Sequence, residues 1–144
     1  MEITQEAVRQ IELVHSSWLR FEVAGEHHKL VSLCADDVQL RPPYELPLVG
    51  RHAVSGWLAQ DVKRVHHIEI SDLQVTGSSE IAYLTAGYRT TFSSPTNSRP
   101  QEVCGHHLWL LRHHDCLWLV ILVSWSVSKS SFLRCDTHLS PGAV

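Results

Sequence analysis

A chain of 144 residues with 44% hydrophobic and 19% charged residues suits one globular domain and excludes wholesale disorder. Its formal charge of −3, with lysines and arginines scattered and no basic run longer than Lys63-Arg64, argues against a nucleic-acid partner.

The first residues, MEITQEAVRQIELVHSSW, are acidic and amphipathic and lack the basic start and apolar stretch of a secretory signal. Val8, Ile11, Val14 or His15, Trp18 and Phe21 recur at three- and four-residue steps, which predicts a helix. Thr4 is an acceptable N-cap, and Gly25 a natural stop. A second short helix, about Glu26 to Cys34, would bury Leu30, Leu33 and Cys34. An extended stretch, Val38-Gln39-Leu40, follows. Pro42-Pro43 and Pro47 forbid helix and force a loop that carries Tyr44 and Glu45. A third helix is predicted from about His52 to Lys63, with Val54, Trp57, Leu58 and Val62 at helical spacing.

From Val65 the period changes. Val65 to Thr76, Ile81 to Phe92, Val103 to Arg112 and Leu117 to Val127 are predicted strands. Turns are expected at Gly77-Ser78-Ser79 and His114-Asp115, and a longer polar loop at Ser93 to Pro100. The longest apolar run, Leu117 to Val123, is too short to cross a bilayer as a helix. Cys34, Cys104, Cys116 and Cys135 lie far apart with no Cys-x-x-Cys pair, which fits reduced thiols, and a cytoplasmic location is expected. Residues 1–128 form the expected domain, and 129–144 a tail expected to fray. Helices followed by four long strands predict an α+β architecture, with helices covering one face of an antiparallel sheet.

Trp18 to Leu58 resembles the front half of SnoaL-like proteins in the nuclear transport factor 2-like superfamily. The matching pieces are Ala24-Gly25-Glu26, Leu30-x-x-Leu33 before Ala35-Asp36-Asp37-Val38, a proline loop, and Val49-Gly50-Arg51-His52-Ala53-Val54. In the back half, Ile81-Ala82-Tyr83-Leu84, Asp115-Cys116-Leu117-Trp118-Leu119-Val120 and Ser124-Trp125-Ser126 agree. The resemblance spans roughly residues 5 to 128 and implies a curved, cone-like half barrel wrapped around a pocket. That superfamily includes ketosteroid isomerases, polyketide cyclases, scytalone dehydratase and non-catalytic association domains, so the fold leaves the chemistry open.

Side chains alternate along strands, so hairpin registers predict which residues share the pocket face. Pairing Phe92 with Gln101 places Ala82, Leu84, Ala86 and Tyr88 on that face. A turn at His114-Asp115 sets Leu111 opposite Trp118, Trp109 opposite Val120, His107 opposite Leu122 and Gly105 opposite Ser124. The resemblance turns this face toward the helices. The expected pocket lining is Trp18, Tyr44, Trp57, Tyr88, Trp109, Trp118, Leu122 and Ser124, although large aromatics serve equally well as core. The opposite face carries Leu108, Leu110, Leu119, Ile121, Val123 and Trp125. An apolar outer stripe of that size suggests a homodimer, or else a tail folded over it.

Histidine is abundant, at eleven residues, with doublets at 27–28, 66–67, 106–107 and 113–114. A strand doublet sends at most one ring inward, and His67 and His107 are the inward candidates for acid–base work. His67 also resembles, by its position before Ser71, the strand histidine of scytalone dehydratase. The second histidine of that enzyme would fall within Ala86 to Tyr88, where this chain has none, and His107 is the spatial substitute. A hydrogen-bonded structural histidine explains the same pattern. The ketosteroid-isomerase arrangement departs twice: Pro42 stands where the general-base aspartate is expected, and Trp18 or Phe21 replaces the first-helix tyrosine. No metal and no cofactor are expected. The function expected is a binding domain for a small apolar molecule. The alternatives are a lyase, isomerase or cyclase using pocket histidines, and a non-catalytic dimerisation or complex-forming subunit.

Overall fold

The computed structural model describes residues 2–128, so the expected fraying of 129–144 lies outside the described residues. Helix α1 (Gln5–Ala24) starts where the Thr4 side chain accepts a hydrogen bond from the Ala7 amide, and it stops at Gly25. Gly25 adopts the left-handed conformation (φ 72°) that lets its N–H close the last turn on Phe21 and Glu22. The buried stripe of α1 is Ile11, His15 and Trp18, so a histidine sits among its apolar contacts. Helix α2 (His27–Val31) is shorter than its sequence suggests, because Cys34 already belongs to strand β1 (Cys34–Arg41). After the proline loop come strand β2 (Leu48–Val49) and helix α3 (Arg51–Gln60).

The remaining strands are β3 (Arg64–Gly77), β4 (Ile81–Ser94), β5 (Asn97–His114) and β6 (Leu117–Val127). Together they form one six-stranded sheet in the order β2-β1-β6-β5-β4-β3. All pairings are antiparallel except β1 with β6, which run parallel. The long polar loop expected at Ser93 to Pro100 is instead a tight hairpin, with Ser94 paired to Asn97.

The inner side of this curved, unclosed sheet packs on the helices through a core that includes Ile11, Trp18, Leu30, Val38, Leu40, Val54, Leu84, Trp109, Leu111 and Val120. Irregular steps in the ladders bend the sheet and reset which side chains point inward. One lies between Val65 and His67, one between Ser71 and Gln74, and one between Leu110 and Leu111.

The β4–β5 register matches expectation, with Phe92 opposite Gln101 and Ala82, Leu84 and Ala86 buried. The β5–β6 register does not. The hairpin turns at Asp115-Cys116, both at positive φ (48° and 66°), as a two-residue primed turn requires. Leu111 therefore faces Val120, which keeps Trp118 and Val120 inward. The step after Leu111 then pairs Leu110 with Leu122, Trp109 with Val123 and His107 with Trp125. Face parity inverts beyond it. Val123 is buried in the core and Trp125 packs against it, so neither belongs to the outer stripe where the sequence placed them.

Candidate functional site

Between α1, the proline loop, the end of α3 and the open half of the sheet lies a cavity of about 660 Å³. Trp18, Tyr44, Trp57, Tyr88 and Trp109 lie along its wall. Trp118, Leu122 and Ser124 do not. The expected places of Leu122 and Ser124 are taken by Val123, Trp125 and Val127, which the β5–β6 bulge turns inward. Trp118 instead stacks on His113 near the hairpin tip, with ring centroids 4.9 Å apart.

The inner wall is built around two histidines. His15 on α1 and His107 on β5 meet through their Nε2 atoms at 3.0 Å. Helical spacing fixes His15 at four residues from Ile11 and three from Trp18, on the buried stripe. Ala86 lies opposite His107 in the ladder, and its small side chain leaves room for the ring. Tyr88 stacks on His107 with an interplanar angle of 9° and sends its hydroxyl across β5 to donate to the Ser126 carbonyl at 2.8 Å. Gly105, between them, is obligatory: a Cβ there would collide with the Ser126 carbonyl and crowd the Tyr88 hydroxyl. Trp109 and His15 meet in a T-shaped contact, and Trp109 lies 4.8 Å, centroid to centroid, from Trp18.

Burial pushes both imidazoles down to about 4, and the neighbouring ring adds to the effect at His107. Both rings are therefore neutral at pH 7. In a neutral pair joined through Nε2, one ring donates and the other accepts. The acceptor must carry its proton on Nδ1, while the donor keeps a lone pair there. His107, which lines the cavity, can thus present either a donor or an acceptor as the pair exchanges tautomers. The Trp109 indole N–H is buried and has no hydrogen-bond acceptor among the described residues.

The outer part of the wall differs in kind. Glu22, one helical turn beyond Trp18, is half-buried and lines the cavity with Asp61 and Lys63. Burial pushes its carboxyl up to about 7; a hydrogen bond from Trp18 opposes the rise, Asp61 adds to it, and Lys63 opposes it. On the proline loop, Glu45 accepts a hydrogen bond from the Trp57 indole at 3.3 Å.

The structure does not bring His67 and His107 together. The bulge after Val65 leaves Val65 and Ile68 facing the cavity and turns His67 outward. His67 is exposed beside His66 in a shallow groove against Leu19, Arg20 and Val23 of α1. His15 and Glu22 are the residues that strand reasoning missed. The signal was present in the helix period: a histidine on an apolar stripe needs a buried partner, and Glu22 shares that flank with Trp18. No group of three or more His, Cys, Asp or Glu side chains converges as a metal site among the described residues. Among those residues no helix is long and apolar enough to cross a membrane.

No family model matches the sequence, and no curated protein resembles it closely enough in sequence to report. Solved structures do match it. A ketosteroid isomerase-like protein from Erwinia carotovora atroseptica superposes with a TM-score of 0.77 at 17% identity, covering 88% of this chain and 99% of that one. A cystatin-like-fold protein from Nostoc punctiforme gives 0.72 at 15% identity, over 90% and 97% of the two chains. An NTF2-like protein with a cystatin-like fold from Novosphingobium aromaticivorans gives 0.69 at 13%, over 88% and 87%. The chain has the nuclear transport factor 2-like fold. Identities this low establish the fold and leave the activity to the site.

Proposed function

We propose that this domain binds a small, largely apolar, ring-containing molecule in the cavity, with the His15–His107 pair as its polar anchor. The observation that carries this reading is an aromatic-walled space of about 660 Å³ with a neutral imidazole, His107, on its wall. A ligand oxygen at that end would meet a ring able to donate or accept.

Four of the five tryptophans (Trp18, Trp57, Trp109 and Trp125) line the cavity, so occupancy is readable as quenching of intrinsic fluorescence. Titration with 4-hydroxybiphenyl should quench saturably. Thr90→Phe, which fills space on the wall, should abolish the quenching without changing the melting temperature. Quenching that is absent, or unaltered in the filled variant, would sink the reading.

Acid–base catalysis on the bound molecule is the second reading, and His107 favours it by facing the cavity. An imidazole held near 4 is a weak base and is almost never protonated at neutral pH, whereas proton transfer is best served by a group poised near the working pH. Binding is therefore preferred to turnover. We also infer pairing of two copies through the outer sheet face, now limited to Leu108, Leu110, Leu119 and Ile121 of the residues first assigned to it, with Tyr83 added at 43% exposure. Sedimentation that shows only monomer at micromolar concentration would remove that inference.

A further inference from the structure

We propose that Glu22 is a second recognition point of the cavity, so that the ligand is a rod-shaped molecule of about two rings with a hydrogen-bonding oxygen at each end. This rests on the ligand-binding reading above and adds to it the ligand's length and its second polar group. His15, Trp18 and Glu22 occupy positions i, i+3 and i+7 of α1, which places all three on one flank of the helix. Seven residues of helix advance about 10.5 Å. The imidazole pair therefore marks one end of a straight path and Glu22 the other, with the Trp18 ring between them. Trp109, Tyr88 and Trp125 wall the same cavity, which suits a flat aromatic body along that path.

The outer end holds no competing tight ion pair. Glu22 forms no salt bridge within 4.0 Å among the described residues, and Lys63 acts on it only at longer range. Asp61 raises the carboxyl further, while the Trp18 indole opposes the rise. A carboxyl that holds its proton near neutrality both donates and accepts, so it can meet a hydroxyl or a carbonyl without stranding a charge.

Two probes of one shape separate the ends: 4-hydroxybiphenyl, with oxygen at one end, and 4,4′-dihydroxybiphenyl, with oxygen at both. The expected result is about tenfold tighter binding of the dihydroxy probe, the worth of one well-made hydrogen bond. Glu22→Leu should erase that advantage, read as the ratio of the two probes' affinities within the same variant, while Glu22→Gln should retain most of it and guards against misfolding of the leucine variant. Equal binding of the two probes by the unmodified protein, or an advantage that survives Glu22→Leu, overturns the assignment of Glu22 and leaves the binding reading standing. Failure of both probes to bind overturns the binding reading and this assignment with it.

Discussion

The two ends of the cavity are perturbed by the same force in opposite directions. Burial drives the His15–His107 pair toward neutrality by making protonation costly, and it drives Glu22 toward neutrality by making ionisation costly. The inner end rests in the core, with His15 only 2% exposed and Trp109 1%, and its two imidazoles hydrogen-bond to each other. The outer end is open to Asp61, Lys63 and the proline loop. The difference teaches that one force, burial, neutralises a base and an acid alike, but that the base here finds a partner across the core while the acid sits among charged neighbours nearer the surface.

The contrast can be broken hardest at Trp109. Trp109→Ala removes a fully buried ring that touches Trp18, His15 and His107, and should cost about 3–5 kcal/mol of stability by chemical denaturation. Trp57→Ala, on the outer wall and half-buried, should cost clearly less; equal losses would erase the distinction between the ends.

Acid should separate the ends next. A histidine whose folded value lies near 4, below an unfolded value of about 6.5, contributes stability that is present above 6.5 and lost as pH falls toward 4. For His15 the loss is on the order of 3 kcal/mol. A double variant, His15→Leu with His107→Leu, should flatten the melting curve over that range. A melting temperature that stays constant from pH 7 to 4 in the unmodified protein would contradict the buried neutral pair.

Gly105→Ala should displace Tyr88 from Ser126 and unstack it from His107, a loss of about 1–3 kcal/mol from overpacking, with near-ultraviolet circular dichroism reporting the tyrosine. The smallest effect is expected at Glu22. Its raised value contributes stability below about 4.5 that is lost as pH rises through 7, the opposite sense to the histidines. Glu22→Gln should therefore raise the melting temperature slightly at pH 8 and not at pH 4. Partial exposure keeps the gain under about 1 kcal/mol.

Much of this arrangement is legible from residue order. The helix period of α1 places Ile11, His15 and Trp18 together, and the strand period places Leu84, Ala86 and Trp109 on one face. Those assignments hold because they depend on local geometry or on a hairpin without an inserted residue. His67, Leu122, Ser124, Val123 and Trp125 were misplaced because each lies beyond a bulge, and one extra residue exchanges the two faces of a strand. The turn at Asp115-Cys116 was equally hidden, since cysteine gives no warning of a positive φ.

The sequence by itself determined the order of helices and strands, the buried stripe of α1 and the inward face of β4. These follow from periodic patterns that each segment must satisfy alone. Only the tertiary structure decided that His107 meets His15, that Trp125 turns into the cavity and that Glu22 stands along the same wall. Those outcomes depend on where ladders slip and on contacts between segments up to 92 residues apart, where burial, and not local propensity, sets geometry and charge.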